Sequence, residues 1–448
     1  MNETMHPTVL PRGAHHTILR GWAILAVAAL ALAGVALIVP ALSKMPGLDT
    51  AVDWPAEFFQ KGLVAHVALS FIVWFLAVAA LIALTALRFP DRRDPALPGC
   101  VGLALATAGT LAIAAAPFLG GEPSLNNYVP TIVHPVYFAG LALVAVGVLI
   151  PVVQMLLRLE APSMEARSQR PGLLALGLLY VAALVAVGIA AQQLGEPPLD
   201  FDTIERLFWG GGHLLQFANV ALLLVALDRL GRMALGGGPP MGDSLTAWAA
   251  ALLFLAGAGG LAIYGATEIR SDAHLTAFTD LQYALALPVL IAAWGTFTQR
   301  RRWRAARGRI AVVSLIAAAL VFLIGCALGL FVDGADTRTP AHYHGVIGGI
   351  NIAFYGLFYL QFLPALGRAV AQQRLALAQI IVYAVGQTLF VAGLFLAGGM
   401  GAARKSMGAG LEIEGLAVWI ALALRDFGLA LAVLASAAFV VLALIALL

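Results

Sequence analysis

Apolar runs of about twenty residues recur along the whole chain, separated by short polar connections. Wound as a helix, a run of that length crosses the roughly 30 Å hydrocarbon core of a bilayer. Twelve runs are predicted as spans, at 19–43, 61–87, 100–119, 129–158, 172–192, 204–231, 246–266, 274–298, 308–332, 341–366, 377–400 and 426–447. The connections are too short for a soluble domain, and no repeat of fixed period is present. The pattern predicts an all-α polytopic membrane protein: a polar tail over 1–18, then a single twelve-helix membrane domain over 19–448.

Composition agrees. The chain is 61% hydrophobic and 11% charged, against roughly 25% charged in a soluble domain, so its outer surface faces the lipid bilayer. The start, MNETMHPTVLPRGAHH, lacks the small-residue cleavage pattern of a signal peptide, which predicts a retained first span. The only cysteines, Cys100 and Cys326, form neither a disulfide framework nor a CxxCH motif. Any haem must then be held non-covalently.

Lysine and arginine placement orients the spans. The tail and the even-numbered loops hold 18 of the 26 basic residues, including the six arginines of RRRWRAARGR from Arg300 to Arg309. The opposite loops hold the other 8: Lys44, Lys61, Arg206, Arg270, Arg338, Arg404, Lys405 and Arg425. Both termini are expected in the cytoplasm. The net charge of +3 reflects this topology and implies no nucleic-acid partner.

On that topology His66, His134, His213, His274, His342 and His344 all enter from the outer side, each near the start of an even-numbered span. His6, His15 and His16 lie in the tail. Ionisable groups in a bilayer are costly and mark function, and neutral imidazole is the commonest side-chain metal ligand. A haem or metal site near the outer face is expected. In PAHYHGVIGGI, His342 and His344 are two residues apart, so they project roughly 200° apart around a helix. That suits two centres flanking one helix better than one chelated ion.

The twelve spans, with VAHVALSFIVWF in span two, FWGGGHLLQF in span six and AHYHG in span ten, resemble subunit I of the haem–copper oxidase superfamily, which includes cytochrome oxidases and nitric oxide reductases. The resemblance implies a respiratory membrane oxidoreductase of the bacterial inner membrane. It implies two b-type haems: a low-spin haem on His66 and His344, and a high-spin haem on His342. His213 would be one of three histidines holding a second metal, copper or non-haem iron. Arg404 and Lys405 would meet haem propionates. A separate cytochrome c or cupredoxin-type subunit would deliver electrons on the outer side, and the gas reduced would be dioxygen or nitric oxide.

The chain departs from the family pattern in span seven. The adjacent His–His pair that completes the second-metal site is missing, and the family's spacing lands near Ile263 and Tyr264. Tyr264, Glu268, Asp272 and His274 are the residues available for an altered site. The position four after His213 is Phe217, where one branch has tyrosine, and Gln216 precedes it. One imidazole cannot retain an ion that needs three or four ligands. Acids gather in the outer loops, while the cytoplasmic halves of the spans carry only Asp228 at an end; protons, if consumed, are expected from outside. Three functions remain: a gas-reducing terminal reductase; a copper-free dihaem electron-transfer or sensor subunit; and a non-redox scaffold or transporter, which the depth of the histidines disfavours.

Overall fold

The computed structural model describes residues 13–45, 47–53, 55–87, 96–159, 164–304, 306, 308–332, 334, 336–405 and 415–448. The tail before residue 13, the basic residues Arg88, Arg92, Arg93 and Arg307 counted among the 18, and the outer-loop acids Asp333, Glu412 and Glu414 lie outside them. Twelve helices among the described residues are long and apolar enough to cross a membrane. They are α1 Ala14–Leu42, α2 Glu57–Ala86, α3 Leu97–Phe118, α4 Pro135–Arg158, α5 Gln169–Leu194, α6 Phe201–Leu235, α7 Asp243–Ala266, α8 Asp272–Thr298, α9 Arg309–Phe331, α10 Arg338–Ala365, α11 Gln373–Gly399 and α12 Leu416–Leu447.

Two predicted boundaries move for identifiable reasons. α4 starts at Pro135, not 129, because a short antiparallel ribbon of β1 (Pro123–Ser124) and β2 (Thr131–Ile132) precedes it. His134 then caps the helix, accepting a hydrogen bond from the Val136 N–H at 3.2 Å, with Pro135 at the first helical position. α12 starts at Leu416, ten residues before the predicted 426. Arg425 and Asp426, which read as a boundary, sit inside the helix because they pair with each other at 2.7 Å.

The chain divides into two compact units. The first holds the described residues 13–26 and 72–306. Within it α3 and α4 touch backbone to backbone: a Cβ at Gly109 would lie 2.5 Å from the Gly140 carbonyl oxygen. Close approach through small residues is a usual way for helices to associate in lipid, where apolar burial gives no advantage. Along α6 the buried Asp228 pairs with Arg232 at 2.6 Å and Arg229 donates to the Thr85 hydroxyl at 2.9 Å. The second unit holds 27–71 and the described residues of 307–448. There α9 and α10 meet at Gly325 and Gly345, where a Cβ on Gly345 would come within 2.5 Å of the Gly325 Cα. α2 and α10 each contain a π-helical stretch, Ala68–Val73 and Phe358–Phe362, a feature often found near functional residues.

Candidate functional site

In the second unit α10 turns its two histidines to different neighbours. The His342 Nδ1 lies 2.8 Å from the Gly325 carbonyl of α9, with room left by Gly329, whose Cβ would fall 2.7 Å from that nitrogen. The His344 ring stands edge-on to Phe390 of α11 at 5.0 Å, and its carbonyl accepts from Gln387 at 2.7 Å. The i, i+2 spacing thus does separate the rings between two helices. On α2, the His66 Nδ1 lies 3.0 Å from the Ala33 carbonyl of α1, and His66 is within electrostatic range of His344.

These contacts fix two tautomers. A carbonyl oxygen only accepts, so the Nδ1 of His66 and of His342 carries the proton and donates it. Each Nε2 keeps its lone pair. A ligating histidine is ordinarily oriented in this way, its second N–H donated to a carbonyl.

The loop after α11 is fastened to the start of α10. Asp336 bridges to Ala403, the Thr337 N–H donates to the Ala402 carbonyl at 2.9 Å, and Arg338 pairs with Asp336 at 2.6 Å. Hydrogen bonds from Arg338 hold the Asp336 carboxyl below its ordinary range. Arg404 and Lys405 follow directly on this tie, and Arg404 acts electrostatically on Tyr343, between the two histidines. Lys405 takes a left-handed backbone, φ 58°.

In the first unit His213 is fully buried on α6. Its Nδ1 donates to the Trp209 carbonyl at 2.7 Å, and its Nε2 lies 2.9 Å from the Tyr128 hydroxyl. Gln282 of α8 donates to the same hydroxyl at 2.9 Å. Burial, opposed by the Gln282 hydrogen bond and reinforced by the charge of Glu205, pushes the Tyr128 phenol up, so it is a donor. The three glycines before His213 admit three different neighbours: Gly210 faces Tyr264 of α7, Gly211 faces Val187 of α5, and Gly212 faces Tyr128.

His274 is also fully buried. Thr267 gives its hydroxyl proton to the Ile263 carbonyl at 2.8 Å and so accepts from His274 Nδ1 at 2.9 Å. The His274 Nε2 and the Tyr264 hydroxyl are buried without partners, their rings 5.0 Å apart. Phe278 lies against His213, Tyr264 and His274 alike, at 5.6, 5.4 and 5.1 Å. The altered-site residues therefore divide: Tyr264 and His274 face inward, whereas Glu268 and Asp272 are exposed. Phe217 is a buried packing residue against Gly257 of α7. Tyr128, Glu205 and Gln282 were missed by sequence reading; the only signal was the polar, tyrosine-ending stretch SLNNY in an outer loop.

Residues 17–425 match the family described as Cytochrome C and Quinol oxidase polypeptide I. The chain belongs to this family. Among its relatives are an uncharacterized protein of Aquifex aeolicus (strain VF5), 27% identical over 77% of this chain and 84% of that one. Another is uncharacterized protein RP382 of Rickettsia prowazekii (strain Madrid E), 23% identical over 90% of each. The fold is similar to that of a cryo-EM structure of a heme-copper terminal oxidase dimer, with a TM-score of 0.74 at 19% identity, covering 98% of this chain and 84% of that one.

Family membership makes this a multi-pass membrane protein of the haem–copper oxidase superfamily, a respiratory oxidoreductase family, and implies haem cofactors. The second unit fits haem: two histidines have Nδ1 donated and Nε2 open, the donor set an iron porphyrin takes. The first unit does not fit a second metal. Both nitrogens of His213 are engaged, and among the described residues no three of His, Cys, Asp or Glu stand together.

Proposed function

We propose that the chain is the haem-binding subunit I of a respiratory membrane oxidoreductase. His66 and His344 would hold a low-spin haem, and His342 would hold a high-spin haem at which a gas could bind. The observation that carries this reading is the pair of carbonyl-fixed tautomers at His66 and His342. Bound haem would supply one-electron transfer and a position for a gas. The chain's own residues do the rest: Ala33 and Gly325 orient the imidazoles, Phe390 packs on the His344 ring, and Arg404 with Lys405 offers positive charge for propionates. Electrons would come from an outer-side cytochrome c or cupredoxin-type subunit, and the substrate would be dioxygen or nitric oxide.

A second reading, a dihaem electron-transfer or sensor subunit without a second metal, is favoured by the engaged nitrogens of His213. Optical spectra of the purified, reduced protein with and without carbon monoxide test the haem assignments. His66→Ala and His344→Ala should each abolish the low-spin signal. His342→Ala should abolish carbon monoxide binding and spare the low-spin signal. A preparation from haem-replete cells that contains no haem would end both readings. Turnover with dioxygen or nitric oxide and a reduced cytochrome c then separates the first from the second.

A further inference from the structure

We propose that a clamped tyrosine replaces the second metal in this chain: the Tyr128 hydroxyl takes the one nitrogen of His213 that could hold a metal, and Glu205 holds the loop that puts it there. This deepens the metal-free reading above; it rests on His213 as the family's second-metal position and on neither haem assignment.

The direction of each hydrogen bond is determined. The Trp209 carbonyl accepts, so the His213 Nδ1 carries the proton and its Nε2 the lone pair. Gln282 Nε2 donates to the Tyr128 oxygen, and the phenol proton is left for His213 Nε2. The chain Gln282 to Tyr128 to His213 to Trp209 is thereby satisfied at every atom. A metal at Nε2 would have to displace the hydroxyl and leave it buried without an acceptor, a loss of the kind proteins avoid.

Tyr128 is poorly placed to withdraw. Glu205, only 9% exposed, accepts from Asn126 Nδ2 at 3.0 Å, from the Asn127 N–H at 3.0 Å and from the Asn127 side chain. Ser124 donates to Asn126 at 2.7 Å, and Asn126 also donates to the Phe201 carbonyl at 3.1 Å. The clamp thus fixes the residue next to Tyr128 from both its backbone and its side chain. Gly212 completes the fit, since a Cβ there would lie 2.5 Å from the Tyr128 Cβ. Trp209 stands edge-on to Tyr128 at 5.2 Å and lies 4.9 Å from the His213 ring, and Phe278 packs against both His213 at 5.6 Å and His274 at 5.1 Å. The side chains packed around His213 are therefore a phenol, an indole and a phenyl ring, of which the indole gives its N–H to the Leu275 carbonyl and the phenyl has no ligating atom.

Two measurements on the purified full-length holo-protein decide this. Copper, total iron and haem are first counted per chain after growth in copper- and iron-supplemented medium. The expected result is no stoichiometric copper and no iron beyond that in haem. Stoichiometric copper or non-haem iron that vanishes in His213→Ala while haem is retained would overturn the proposal. The second is solid-state NMR of protein carrying ¹⁵N-histidine, with His213→Gln for assignment. The His213 Nε2 signal should be that of an unprotonated nitrogen accepting a hydrogen bond, and Tyr128→Phe should shift it downfield towards a free lone pair. Glu205→Ala should shift it the same way, because the clamp rather than the phenol has been removed; this second variant serves if the first does not fold. An unchanged signal in either folded variant sinks the proposal. Loss of haem from the wild type would count against the haem ligands only, since the NMR and copper results stand without it.

Discussion

Tyr264 buries a hydroxyl with no partner, one ring away from an equally bare His274 Nε2. An unsatisfied buried polar atom costs about 1–3 kcal/mol, whereas an apolar replacement of the same shape is near neutral or stabilising. Tyr264→Phe should accordingly leave thermal stability unchanged or raise it by up to about 1 kcal/mol, as read from unfolding in detergent. A clear loss would show that the hydroxyl is bonded to something in the native membrane. Lys44 gives a pH prediction of opposite character. Its burial, with Arg425 close by and Asp426 only partly compensating, lowers its pKa from 10.5 to about 8. Below pH 8 folded and unfolded chains both hold the proton, so the penalty is fully present. Between about 8 and 10.5 the folded chain sheds it first, and stability should rise with pH. Lys44→Met should flatten that rise in unfolding curves taken from pH 7.5 to 10.5. At this scale the histidines were legible because imidazole is rare among apolar residues. Tyr128 was not, because its contact with His213 spans 85 positions and a lone loop tyrosine has no periodicity.

Helices were legible almost to the residue where the chain passes from apolar to polar, as for α9, predicted at 308–332 and found at Arg309–Phe331. They were misread where polarity and backbone part company. An apolar stretch, VPTIV, forms part of a ribbon before α4, and an internal ion pair carries α12 past its charges. Helix pairing was legible only as glycines. One case beside the site is Gly345, whose missing side chain lets α10 meet α9 and brings His342 onto the Gly325 carbonyl. Here the atoms in the way are backbone and cannot rotate aside. Gly345→Ala should cost about 1–3 kcal/mol, the usual range for overpacking, and should lengthen the His342 hydrogen bond. The check is a paired measurement: thermal unfolding, and the carbon monoxide difference spectrum. Lowered stability with an unaltered spectrum would mean that α10 shifts without disturbing His342.

Across the whole chain the asymmetry of basic residues, 18 against 8, argues for one orientation, and every statement about side depends on it. Arginine and lysine are held back from translocation, so the rich side stays in the cytoplasm. The buried charges do not blur this, because Arg206 and Arg232 are neutralised within their own helix by Asp202 and Asp228. Charge on short loops is a property of sequence alone, so an orientation can be expected without a structure, whereas the surroundings of His213 cannot. The expected arrangement puts both termini inside and the ends of the helices bearing His66, His213, His342 and His344 towards the outside. A green fluorescent protein fused after Leu448 should fluoresce, and alkaline phosphatase at the same point should be inactive. Phosphatase inserted in the 195–200 connection between α5 and α6 should be active. The reverse pattern would move these histidines to the cytoplasmic side. An outer electron donor could then no longer reach them directly, and the proposed partner would have to be sought inside the cell.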